Sequence, residues 1–145
     1  MFKSILWPVD GSPLSYAPVE KVIELAKMTH ATVVVLSIAE PRLFRASDPE
    51  SLATGKEVEA AHMHAAIREV ARVRALVEKA GVPCHDIVAL SALPSAEIVH
   101  TARQRGCDLI VMATRGKMGV LDSLLDPSCT REVIAASPAP VLVFP

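Results

Sequence analysis

The sequence predicts an α/β domain built on a doubly wound parallel sheet, and three observations carry that expectation. Five short runs rich in Val, Ile and Leu alternate with four segments of helical periodicity, the order that strand–helix–strand crossovers produce. The hydrophobic fraction is 51% but the aromatic fraction only 3%, which fits a sheet core of aliphatic side chains covered by helices. At 145 residues the chain suits one domain spanning 1–145, able to bury about 70% of its unfolded surface.

The first strand runs through Ile5, Leu6, Trp7, Pro8 and Val9 into Asp10, Gly11 and Ser12. Val19, Val22, Ile23 and Ala26 then recur at helical spacing, and the helix stops near Thr29 and His30. Residues 31–38 contain Val33, Val34, Val35 and Leu36, too β-branched and too short for a helix, and form a central strand. Residues 40–55 hold Pro41, Pro49 and no sustained period, which predicts a long loop over the carboxyl ends of the strands, placed to act as a lid.

Residues 56–80 have the cleanest period, with Met63, Ala66, Val70, Val73, Val77 and Ala80 three or four apart. Gly81 is expected to end that helix in a left-handed cap, and Pro83 prevents its continuation. The opposite face mixes Glu57, Glu69 and Glu78 with Arg68, Arg72 and Lys79 and is expected to be solvated. A third strand follows over 86–91, and Pro94 opens a helix that carries Ile98, Val99 and Ala102 and stops at Gly106. Leu109, Ile110, Val111 and Met112 form a strand buried on both faces, a helix spans residues 127–136, and a last strand ends the chain.

The most distinctive stretch is the basic glycine loop after Met112: Ala113, Thr114, Arg115, Gly116, Lys117, Met118 and Gly119. A strand feeding such a loop and then a helix points to an anion site, because free N–H groups and the positive end of the helix dipole converge there. The helix opens with Asp126 and Pro127, however. A carboxylate there competes with phosphate for the same donors, and proline removes one donor.

These residues resemble the nucleotide loop of the universal stress protein family, in which three glycines and a closing Ser or Thr wrap the ribose and phosphates of ATP. Anchored on the strand ending at Met112, the glycine positions fall on Ala113, Gly116 and Asp126, and the hydroxyl position on Pro127. A second register places Gly116 and Gly119 first and closes on Cys129 and Thr130, at the cost of moving the loop away from the strand end. The strand and loop at Ile5 to Ser12, the Pro94 to Ile98 helix start and the last strand are similar to the same family, so the resemblance covers the whole chain.

The resemblance implies a sheet order of 3-2-1-4-5 in the adenine-nucleotide-hydrolase-like arrangement, with helices on both faces. It also implies a crevice between the first and fourth strands. Asp10 and Gly11 would then face the loop, Asp10 would accept from a ribose, and the main chain at Val9 and Val35 would frame an adenine. Asp10 has a second reading, as the cap of a turn or of the next helix. Arg115 and Lys117 are consistent with phosphate contact, although loop Arg and Lys side chains are more often merely solvated. Ser128 is a weaker candidate for the missing hydroxyl. Ala113 would carry a cost of about 1 kcal/mol or more if its φ is positive, and Asp126 is expected to fill the anion hole itself, paired with Arg115 or Lys117.

Fifteen basic against sixteen acidic residues leave no field to gather nucleic acid. The start lacks a signal-peptide pattern and no run reaches membrane-spanning length, so a soluble, cytoplasmic protein is expected. Cys84, Cys107 and Cys129 form no paired motif and read as core. His62 and His64 lie about 200° apart on their helix and cannot share a metal. No nucleophile elbow, Walker loop or metalloprotease helix is present. The expected function is therefore that of a non-enzymatic stress-response protein with weak or no ATP binding and no other cofactor. It would be a homodimer through the edge strand Val141, Leu142, Val143 and Phe144, with a protein partner still to be named. The alternatives are an ATP-binding member with slow hydrolysis and a sensor of a ligand without phosphates.

Overall fold

The structure is a computed structural model that describes residues 1–41, 49–114 and 127–145, with the backbone alone at 49–54 and 127. Strands β1 (Ser4–Pro8), β2 (Thr32–Ala39), β3 (Cys84–Leu90), β4 (Leu109–Ala113) and β5 (Val141–Phe144) alternate with helices α1 (Val19–Thr29), α2 (Pro49–Lys79), α3 (Pro94–Arg105) and α4 (Pro127–Ala136). Among the described residues the sheet has five strands, all parallel, in the order β3-β2-β1-β4-β5. That is the predicted topology.

Strand periodicity sorts the core into two layers. Ile5, Trp7 and Val9, with Val33, Val35, Leu109 and Val111, face one side and pack under Val22 and Ala26 of α1 and Val70, Val73 and Val77 of α2. The alternate residues Leu6, Val34, Leu36, Ile110 and Met112 face the other side, under Ile98 and Ala102 of α3 and Val133 of α4. Central strands buried on both faces must be apolar throughout, which is why β4 is buried at all five positions. β3 and β5 are the edges and are correspondingly more exposed.

Helix ends follow local chemistry. His30 caps α1 in the left-handed conformation at φ 54°, its N–H reaching the Ala26 and Lys27 carbonyls. After α2, Gly81 at φ 84° donates to Glu78 at 2.9 Å, and Pro83 keeps the chain from re-entering the helix. A carboxylate fastens the amino ends of β1 and β4 together: Asp108 accepts from the N–H of Lys3 at 2.8 Å and of Ser4 at 3.0 Å, and its own N–H donates to the Ser4 carbonyl at 2.9 Å.

Two expectations are corrected. The loop predicted over residues 40–55 is helical from Pro49 onward, so α2 begins seven residues earlier than the periodicity indicated. Proline at the first helical position needs no N–H partner and its φ is already helical, so Pro49 starts a helix where it was read as breaking one. A loop-like lid over 40–55 does not hold for the part described, and residues 42–48 lie outside the described residues. Strand β3 starts at Cys84, two residues before the predicted start, because an edge strand tolerates the exposed His85. The three cysteines are buried and form no disulfide. Burial, with Glu78 nearby, pushes the Cys84 thiol up to about 11, and burial also raises Cys107, whose sulfur accepts from the Ser4 hydroxyl.

Candidate functional site

The connection after β1 leads to α1 on one face, while that after β4 leads to α4 on the other. A crevice therefore opens at the carboxyl ends of these strands, the place where doubly wound sheets bind ligands. At its lip the Asp10 Oδ1 accepts from the Ser12 N–H at 2.9 Å and from the Ser12 hydroxyl at 2.6 Å. This is an Asx turn, so the turn-capping reading of Asp10 is realised. Ser12 in turn caps a short 3₁₀ turn over Pro13–Tyr16 by accepting from the Ser15 N–H.

Gly11 occupies the left-handed region at φ 83°. A Cβ built there would lie 3.8 Å from the Glu69 carboxylate, an ordinary contact, so backbone conformation rather than crowding calls for glycine.

A cleft of about 350 Å³ opens beside Asp10 and Gly11. The end of β2 supplies Ser37, Ile38 and Ala39, and α2 supplies His62, Ala65, Ala66 and Glu69. Three carboxylates, Asp10, Glu40 and Glu69, line it together with one imidazole, and among the described lining residues there is no Lys or Arg.

Glu69 departs from the solvated face predicted for it: its side chain is only 18% exposed. Its Oε1 is buried, sits 3.6 Å from the Arg72 guanidinium and accepts no hydrogen bond among the described residues. Arg72 itself rests over the Tyr16 ring, 4.3 Å from the centroid, which fixes the cation beside the carboxylate. The sequence did hold a signal for this placement. His62, Ala66, Glu69 and Val73 follow the four–three–four spacing of one helix face, and Ala66 and Val73 belong to the buried stripe.

The other predicted residues are distributed as follows. Val9 is fully buried and its N–H donates to the Leu36 carbonyl at 2.8 Å, extending the β1 ladder. Val35 does not reach the crevice: it is fully buried mid-sheet, between Trp7 of β1 and Asp86 of β3. The contribution of β2 comes further along, at Ser37, Ile38 and Ala39, because only the strand's carboxyl end reaches the crevice. Met112 and Ala113 are buried in β4, which runs one residue beyond the predicted end. Among the described non-glycine residues only His30 has a positive φ, so Ala113 is unstrained.

Ala113 pairs with Phe144, and the next N–H, that of Thr114, donates to the Phe144 carbonyl at 2.9 Å. Pro127 is the first residue of α4 and the half-buried Ser128 its second. Cys129 and Thr130, which close the second register, are buried within that helix. Arg115, Gly116, Lys117 and Asp126 lie outside the described residues, and with them the expected pairing of Asp126.

Known proteins share this fold. A family model for universal stress proteins matches residues 1–145. Universal stress protein MJ0531 of Methanocaldococcus jannaschii is 30% identical over 143 residues, which cover 99% of this chain and 82% of that protein. A universal stress protein of Thermus aquaticus, encoded in the QAH/OAS sulfhydrylase 3′ region, is 32% identical, with 99% of this chain and 98% of that one covered. The solved structure of MJ0577 from M. jannaschii matches with a TM-score of 0.81 at 27% identity, covering 99% of this chain and 95% of that one. The chain belongs to the universal stress protein family.

Proposed function

We propose that this universal stress protein is a non-enzymatic homodimer whose crevice holds a triphosphate weakly or not at all and is open to a small ligand without a phosphate chain. The observation that supports it most is the charge of the cleft. Asp10, Glu40 and Glu69 meet there with no Lys or Arg among the described lining residues. A polyphosphate brought against such a wall loses water without gaining a cation, which is unfavourable.

The sequence adds to this. Asp126 and Pro127 replace the third glycine and the hydroxyl of the family's loop, so the chain supplies a negative charge of its own. No catalytic constellation is evident in the sequence. Dimerisation is supported by β5, an edge strand on which Val141, Val143 and Phe144 are half-buried and Leu142 is 41% exposed. An apolar edge of that kind invites a symmetric partner strand. The other edge, β3, carries exposed His85 and Asp86 and is less suited to the purpose.

Two measurements test the proposal. Protein purified from cells and then denatured should release no stoichiometric adenine nucleotide, as read by absorbance and mass; a full equivalent of ATP would favour the ATP-binding alternative. Light scattering at micromolar concentration should give the mass of two chains, falling to one in Leu142→Arg. A monomeric wild type would remove the dimer from the proposal.

A further inference from the structure

We infer that the groove between α3 and α4, on the face of the sheet away from α2, is a second binding site for a small zwitterion whose ammonium and carboxylate are separated by a short apolar body. A cavity of about 340 Å³ opens there, at the lower end of the size range of small-molecule pockets. Glu132 of α4 and Arg103 of α3 both border it, yet among the described residues neither forms an ion pair. Opposite charges share one cavity without meeting.

The two charges stand at different levels of the groove. The Ser95 hydroxyl donates to Glu132 Oε2, which fixes the carboxylate beside the first turn of α3 and leaves Oε1 to accept from a ligand. Arg103 follows Ser95 by eight residues, about 12 Å along the helix axis. Its side chain leans back toward the helix N-terminus, which shortens that gap. His100, one turn before Arg103, also borders the cavity, and Glu132 is the only carboxylate among the described lining residues. Between the two charges Ala96 and Ala136 are small and Val99 is buried, a floor that a short apolar body can cover.

That pattern selects the ligand. An anion gains Arg103 but faces Glu132, and a cation meets the reverse, whereas a molecule carrying both charges satisfies each. A guanidinium fork grips a carboxylate through paired hydrogen bonds, and an ionised carboxylate accepts from an ammonium. The adjacent charges of a free α-amino acid do not span the groove, but an extended dipeptide reaches about 7 Å.

The test is a nuclear magnetic resonance titration of the full chain with L-alanyl-L-alanine, its N-acetyl form, which lacks the ammonium, and its amide, which lacks the carboxylate. Backbone amide shifts read both affinity and place. Dialanine should shift α3 and α4 saturably and leave Asp10 and Gly11 unmoved. Each blocked form should bind about tenfold or more weaker, the loss expected for a hydrogen bond to a charged group. Glu132→Gln should weaken dialanine by a similar factor and spare the N-acetyl form, while Arg103→Gln should weaken dialanine and spare the amide. Arg103→Lys keeps the charge without the fork and should recover only part of the affinity. Both positions are exposed helix surface, and unshifted core amides in the variants will show that the fold is kept. The absence of saturable shifts in α3 and α4, or shifts centred on the crevice, overturns the site. Blocked forms that bind as tightly as dialanine overturn the zwitterion assignment.

Discussion

Restoring the family's first loop glycine by Ala113→Gly should destabilise the protein and leave nucleotide binding unchanged. The position lies at the end of β4, 6% exposed, paired with Phe144 and extended by the Thr114 to Phe144 hydrogen bond of 2.9 Å. Its φ is not positive, so glycine gains nothing there. The substitution instead frees a strand backbone, at about 0.5–1 kcal/mol, and removes a buried methyl, at roughly 0.8 kcal/mol. Together these come to about 1.5 kcal/mol.

For 145 residues the unfolding entropy is about 0.3 kcal/mol per kelvin, so the midpoint should fall by roughly 5 °C. Scanning calorimetry reads the first quantity and ATP titration of both proteins the second, with affinities expected to agree within about twofold. A variant as stable as the wild type would refute the packing argument. A tenfold gain in ATP affinity, about 1.4 kcal/mol, would show that the Ala113 methyl was keeping the nucleotide out.

Further outcomes follow from the titratable groups. Burial alone would raise the Asp108 carboxyl, but the Ser4 and Lys3 N–H groups outweigh it and hold it below its ordinary value of 3.8. A lowered carboxyl stabilises fully above that value, and the contribution is lost as pH falls through the folded value. Asp108→Ala should therefore cost about 1 kcal/mol at neutral pH, discounted for exposure, with the gap to wild type closing below about pH 3.8 in urea titrations. A gap that is constant down to pH 2 would exclude those hydrogen bonds as its source. Cys84, pushed up to about 11 by burial, should resist thiol reagents at pH 8 in the folded protein and react at once in denaturant. Rapid labelling of native Cys84, mapped by mass, would contradict that environment.

Much of the fold was legible in the sequence because strands buried on both faces must be apolar and their helices must present one stripe. The β2 and β4 runs and the Val70, Val73 and Val77 ladder left little choice. Pro49 misled because proline both ends helices and begins them, and only the following backbone decides which. The site was harder to read. Asp10 and Gly11 could be named from their place after β1, but where β2 meets the crevice depends on strand length, and Ser37 ends the apolar run before the strand itself ends. Glu69 was hidden by its charge. A carboxylate on a mixed acidic and basic face reads as solvated unless the four–three–four spacing through Ala66 and Val73 is weighed first.

The central claim concerns charge: a crevice walled by Asp10, Glu40 and Glu69 should reject a triphosphate. Calorimetric titration of ATP into the wild-type protein tests it most directly. The account predicts a Kd weaker than about 100 μM, no better than about −5.5 kcal/mol. A Kd in the low micromolar range or below would contradict it.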